Sequence, residues 1–288
     1  MDAEPVPVTA ATAPASAPAT DADQAGTLGG AEVVRGVAIG GLAGVMAGIL
    51  VIGVGGRLVM RAIALLNPDD TGRITSADEV IGRITLDGSM FFIVFFGAIG
   101  GAVAAVVWVA VAEWIPGRGA ARAVATGLVG VALSAFLVVR ADELDFTVVE
   151  PLSAIVLLIG LVGLFGIALT LIDEQLRRRL PAVTPDRAGA LLVYLLISGI
   201  GLLFMPMTLQ TYFGGGDLLT RKASPEVGLA ILAVGLATLA AWVLRVRTGS
   251  STRPRALRIA GQGALAIAVV LGALHLGREI AAILGATS

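Results

Sequence analysis

The stretch Arg35-Gly36-Val37-Ala38-Ile39-Gly40-Gly41-Leu42-Ala43-Gly44-Val45-Met46-Ala47-Gly48 sets a glycine at every fourth position of an apolar run that continues to Gly56. In a helix, residues four apart share a face, so Gly36, Gly40, Gly44 and Gly48 form one smooth stripe. Lipid tails are as apolar as leucine, so membrane helices gain little by hiding apolar side chains from them. They associate where small residues let two backbones approach. The run over 36–56 also has the right length, because 21 residues at about 1.5 Å each span roughly 31 Å, the thickness of a hydrocarbon core. A second stripe of small residues, Ala260, Ala264, Ala268 and Gly272, recurs near the end of the chain and is a candidate partner for the first. The pairing predicts a contact within one bundle or between two copies of the protein.

Six further apolar runs follow, at about 90–112, 121–140, 151–172, 188–209, 225–244 and 259–280. Together they predict an all-α integral membrane protein, a bundle of seven transmembrane helices. Hydrophobic residues make up 57% of the 288 and charged residues 14%, with a mean hydropathy of +0.92, which places the chain far from ordinary soluble domains. A formal charge of −1 argues against nucleic acid as a partner, since that binding needs basic surface to neutralise phosphates. With no cysteine and the single histidine His275, thiolate chemistry and multi-histidine metal sites are excluded, and no cofactor is expected. Lys222 is the only lysine, an arginine bias of the kind a GC-rich bacterial genome produces.

Residues 1–30 hold Pro5, Pro7, Pro14 and Pro18 among Ala, Thr and Asp and read as a disordered tail ahead of a membrane domain over 31–288. Helix starts are marked at Glu150-Pro151, Thr184-Pro185-Asp186 and Ser224-Pro225-Glu226, and breaks at Asn67-Pro68 and Pro116-Gly117. Met205-Pro206-Met207 predicts a kink in the fifth helix. Arginines crowd the second, fourth and sixth loops, whereas the third holds Asp142, Glu143, Asp145 and Glu150. This bias predicts a bacterial plasma-membrane protein with its amino terminus cytoplasmic and its carboxyl terminus outside.

Candidate chemistry is sparse. Arg57 and Arg61 share a helical face amid apolar residues where the first helix leaves the bilayer, either on a helix unbroken to Leu66 or on an interfacial helix bent at Gly55-Gly56. Guanidinium groups there suit the oxyanions of anionic lipid headgroups, with Asp69 and Asp70 as candidate counter-ions. Beyond them, the echo Gly72-Arg73-Ile74-Thr75 and Gly82-Arg83-Ile84-Thr85 predicts an extracytoplasmic cap between the first two helices, built as a small hairpin or as one helical turn. His275, Arg278 and Glu279 read as an interfacial ion pair and not a proton relay. The GxGxxA match at Gly261 lies inside an apolar helix and lacks the preceding strand a dinucleotide site needs.

From Gly56-Arg57-Leu58-Val59-Met60-Arg61 through Gly82-Arg83-Ile84-Thr85-Leu86-Asp87-Gly88 to Phe95-Phe96-Gly97, about the first third of the chain resembles uncharacterised multi-pass membrane proteins of actinobacteria and related bacteria. The resemblance implies a bacterial membrane protein and transfers no reaction, substrate or site. With few charges in the apolar runs, the leading expectation is a non-enzymatic scaffold, accessory or regulatory membrane protein. Its partners would be the bilayer and a second membrane protein or second copy. The alternative is a small transporter or permease for an anionic or lipid-like substrate, which predicts a polar cavity at broken helices.

Overall fold

The computed structural model describes residues 21–70, 72, 85–141, 150–184, 188–213, 224–248 and 254–286. Among them every regular element is helical, and seven helices are long and apolar enough to cross a membrane. They are α1 (Gly29–Leu66), α2 (Leu86–Val111), α3 (Gly119–Leu137), α4 (Pro151–Arg179), α5 (Gly189–Phe213), α6 (Pro225–Thr248) and α7 (Arg255–Ala286). Their outward faces carry Leu50, Leu128, Val156, Leu196, Leu203, Leu236 and Ile267, all exposed, the surface a bilayer would cover.

The helix starts follow their local chemistry. Glu150 caps α4: its carboxylate accepts from the backbone N–H of Leu152 at 3.1 Å and of Ser153 at 2.7 Å, with Pro151 in the first turn. Hydrogen bonds from Ser153, its hydroxyl first and its backbone second, hold the Glu150 carboxyl below the ordinary glutamate value. α6 opens at Pro225, and the Ser224 carbonyl accepts from Val227 and Gly228. Thr85 caps α2, its hydroxyl accepting from Gly88 N–H at 3.1 Å. Pro185 and Asp186 lie outside the described residues, as do the stretch 73–84 with its expected cap and the acidic positions 142–149.

One boundary differs from expectation, and at another the structure takes one of two open alternatives. The helical backbone leading into α1 begins at Asp21, so the expected disordered tail over 1–30 is helical over 21–30; Pro18 is the last proline before Pro68, and between them each residue has an N–H to donate. Gly55-Gly56 does not bend α1. Both glycines keep right-handed helical backbone angles, and the helix runs to Leu66, widening to a π-helix over Gly48–Gly55. These glycines permit contact instead: a Cβ on Gly56 would lie 2.7 Å from Phe92 Cε1, and one on Gly55 would lie 3.1 Å from Leu161 Cδ1. At 38 residues, α1 is about 57 Å long, nearly twice the hydrocarbon thickness. α1 ends at Asn67, whose side chain donates to Ile63 O at 2.8 Å and accepts from the Glu150 N–H at 2.7 Å, tying the end of α1 to the start of α4.

The glycine stripe of α1 lies against α2. A Cβ on Gly40 would lie 2.7 Å from Val109 Cγ2; on Gly44 it would meet Ala105, with Gly101 O at 2.7 Å; on Gly48 it would meet Gly97 O, with Gly101 Cα at 2.7 Å. The partner surface is therefore Gly97, Gly101 and Ala105 of α2, and not the small residues of α7. Those pack elsewhere: Gly272 sits against Ala132 of α3, Ala268 is fully buried, Ala264 is half-buried and Ala260 is exposed. Because α2 occupies the stripe, Gly40, Gly44 and Gly48 are not available to a second copy. In α5 the helix is interrupted at Leu203-Phe204, where the N–H groups bond three residues back to Ile200 and Gly201 just before Pro206.

Candidate functional site

At one end of the bundle, where α1 starts and where α2, α4 and α6 finish, the charges are gathered between helices instead of being spread over a rim. α2 ends at Ala112, Glu113 and Trp114, and the chain turns at Gly117 (φ +102°) and Gly119 (φ +54°) into α3. Only glycine takes such angles without strain. The turn brings Arg122 back under α2, where its Nη2 donates to Ala112 O at 2.8 Å and its guanidinium lies over the Trp108 ring, 5.7 Å from the centroid. On α4, Asp173 is fully buried. Its Oδ2 accepts from Arg177 Nε at 2.7 Å and its Oδ1 from Arg177 Nη2 at 3.2 Å, and Trp108 Nε1 makes a longer contact of 3.5 Å with Oδ1. Glu174 faces Arg122 at 4.0 Å. On α6, Arg245 Nη2 lies 3.5 Å from Glu113 Oε1, which also accepts from Trp242 Nε1 at 3.0 Å. Arg35 of α1 closes the far side, donating to the carbonyls of Arg177, Leu180 and Pro181 past the end of α4.

These groups surround a crevice of about 420 Å³ between α1, α2, α3, α4 and α6. Val33, Gly36, Val37 and Gly40 of α1 form one wall, Trp108, Val109 and Trp242 give it aromatic and apolar surface, and Arg122, Arg177 and Arg245 supply guanidinium groups from three different helices. Glu32 and Glu113 also line it. A fully buried carboxylate is tolerated only when its oxygens find donors, and Asp173 finds them in Arg177 one turn onward and in Trp108 across the helix contact. In such surroundings a guanidinium is a strong, directional donor to carboxylate or phosphate oxygens.

The positions singled out from the sequence behave differently. Arg57 lies over the Phe92 ring, 5.1 Å from its centroid, with Nη1 4.0 Å from Met60 Sδ; no described carboxylate pairs with it. Arg61 is exposed on the same helix, Asp69 is exposed in the turn after Asn67, and the side chain of Asp70 lies outside the described residues. His275 stands edge-on to Phe136 with its Nε2 3.9 Å from Glu279 Oε1, while Glu279 Oε2 accepts from Ala141 N–H at 2.8 Å. In the sequence each crevice charge reads as a loop or helix-end residue, and Arg122, Arg177 and Arg245 carry the same orientation signal as their neighbours. One cue was present in the sequence, the i, i+4 pair Asp173 and Arg177 ending an apolar helix, with Trp108 and Trp242 at the ends of two others.

Comparison with protein-family models, with curated proteins and with solved structures returns no match for this chain. The functional argument therefore stands on the geometry of the crevice alone.

Proposed function

We propose that the chain is a regulatory or accessory membrane protein, with no reaction of its own, that receives a small polar ligand in the crevice at the arginine-rich end of the bundle. The observation that carries this reading is the 420 Å³ space edged by Arg122, Arg177 and Arg245 and walled by Trp108 and Trp242. Small-ligand sites combine apolar and aromatic walls with a few placed polar groups, and this one lies where several helices meet. Further along α1 the glycine contacts with α2 close the space between the two helices. The same arginine bias that orients the chain supports a crevice open to the cytoplasm of a bacterium, with the amino terminus on that side.

A transporter is the second reading. Its support is that the π-helical stretches Gly48–Gly55 of α1 and Phe92–Ile99 of α2 face one another, a Cβ on Gly53 lying 3.1 Å from Ile93 Cα, and that α5 is interrupted at Leu203-Phe204. Irregular helical turns are where functional hinges and transport sites collect.

The test is a thermal-unfolding screen of small solutes on the purified full chain and on Gly36→Leu. The nearest atom to a Cβ at Gly36 is Arg177 Nη1 at 3.8 Å, so a leucine there enters the crevice without striking backbone. At least one solute is expected to raise the melting temperature of the wild type and not of the variant. If no solute separates the two proteins, the crevice is not a binding site. Flux of that solute into proteoliposomes would favour the transport reading over the regulatory one.

A further inference from the structure

We infer that the crevice ligand carries a phosphate group, held by Arg122 and Arg177 with its less polar body against Trp108 and Trp242; this rests on the reading of the crevice as a binding site. The argument is an accounting of donors and acceptors among the described residues. Asp173 spends both carboxylate oxygens on Nε and Nη2 of Arg177, which leaves the Arg177 Nη1 group next to Gly36 on the crevice wall. Arg122 spends Nη2 on the Ala112 carbonyl, its Nη1 stands 4.0 Å from Glu174, beyond hydrogen-bond length, and its Nε is buried with no hydrogen-bond partner. Glu113 already receives Trp242 and faces Arg245. Arg35, by contrast, is occupied by three backbone carbonyls and by Glu32.

Arg177 Nη1 and the Arg122 guanidinium are thus the donors left over between α1, α3 and α4, and a group that complements them offers acceptors. A carboxylate presents two oxygens in one plane. Guanidinium groups arriving on two separate helices, Arg122 on α3 and Arg177 on α4, suit the tetrahedral oxygens of a phosphate better. Arg122 lies over Trp108 and Arg177 is fixed by Asp173, so neither side chain must be ordered when the ligand arrives. The same chemistry is presented by a water-soluble phosphate ester and by an anionic phospholipid headgroup entering from the adjacent leaflet.

The experiment measures thermal unfolding of the full chain in nanodiscs. In phosphatidylcholine discs, glycerol phosphate is titrated against potassium chloride of equal ionic strength; separately, phosphatidylglycerol discs are compared with phosphatidylcholine discs. Each arm is run on wild type, Arg122→Lys and Gly36→Leu. Stabilisation by glycerol phosphate identifies a soluble ester as the source, and stabilisation by phosphatidylglycerol alone identifies a headgroup; either supports the proposal if Gly36→Leu abolishes it. Arg122→Lys keeps the charge but loses the fork, and should weaken the response about tenfold. If Arg122→Lys does not fold, Gly36→Leu still decides. A cationic or zwitterionic solute that stabilises wild type and not Gly36→Leu, while both phosphate arms fail, overturns the phosphate assignment and leaves the crevice reading standing. Failure of every solute in both arms overturns the two together.

Discussion

Replacing Gly48 with alanine tests the contact on which the bundle turns. The added Cβ would meet the carbonyl oxygen of Gly97 and lie 2.7 Å from Gly101 Cα and 3.1 Å from Gly101 N. All three are backbone atoms, so no side chain can rotate aside. Ordinary contact begins near 3.4 Å, so α1 and α2 must part by about 0.7 Å at Gly101. A gap of that size forfeits roughly a quarter to a half of the local dispersion energy, and overpacking of this kind costs about 1–3 kcal/mol. Alanine also gains about 0.8–1 kcal/mol over glycine in helix propensity, which would mask part of the loss. Gly41→Ala removes the ambiguity: it lies on the same helix, gains the same propensity, and a Cβ there has nothing within 4 Å. The difference between the two variants is therefore the packing cost alone. On soluble-domain scaling of about 2–4 °C per kcal/mol, Gly48→Ala should melt roughly 2–12 °C below Gly41→Ala. Fluorescence in detergent is a suitable readout, because Trp108 and Trp114 are buried at the far end of the helix that must move. If the two variants melt together, the close approach of α1 and α2 does not stabilise the fold and the argument from the stripe fails.

Thr238→Val removes the oxygen that accepts from Trp114 Nε1 at 2.8 Å at a buried site. The expected loss is about 1–3 kcal/mol, recovered by Thr238→Ser, as read from thermal melts of the three proteins. Asn67→Ala cuts both bonds of the clasp between α1 and α4, with a similar cost, and hydrogen exchange should rise at Ile63–Asn67 and at Glu150–Ser153 while α6 is unaffected. Glu150 has its folded-state value lowered by Ser153, so its cap stabilises above the ordinary glutamate pKa and is lost as pH falls through the lower folded value. Wild type should therefore melt above Glu150→Gln near pH 7, with the gap closing as pH falls below the ordinary glutamate range; a gap that stays constant with pH would show that the cap is not acting as a carboxylate.

The seven helices of membrane-spanning length were legible because the physics that sets them is one-dimensional: length and polarity of a run decide whether it fits a bilayer. Helix starts at Glu150-Pro151 and Ser224-Pro225 were legible for a similar reason, since a cap acts within four residues. Partner choice was not. The stripe of α1 announced that some backbone would come close, but a small residue carries no complementary label, and Gly97, Gly101 and Ala105 of α2 were as eligible as Ala268 and Gly272 of α7. The meaning of Gly55-Gly56 was equally open, because glycine permits both a bend and a close approach, and only the position of Phe92 and Leu161 decides between them. The crevice was hidden by distance along the chain: Glu32, Glu113, Arg122, Asp173 and Arg245 lie in five separate segments, each reading alone as the solvated end of a helix.

Within the stripe, Gly36 has a different task from the three glycines that follow it. Gly40, Gly44 and Gly48 each bring a would-be Cβ within 2.7 Å of α2, or closer: Gly44 and Gly48 leave room between two backbones, and Gly40 leaves room for the Val109 side chain. At Gly36 the nearest atom is the tip of Arg177, 3.8 Å away, and there is no backbone to approach. A side chain would fit there sterically; what it would take up is the crevice. The charge arrangement agrees with this division. Burying the Asp173 carboxylate costs several kcal/mol, which its bonds to Arg177 roughly offset, so the pair adds little net stability. What it does is fix the guanidinium so that Nη1 stands at Gly36, where the long side chain of an unpaired arginine would otherwise sample many rotamers. A small residue whose added Cβ would meet only the tip of an arginine, itself held in place by a carboxylate of little net energetic benefit, is not required by helix packing, and it follows directly if the space between them is kept for a ligand.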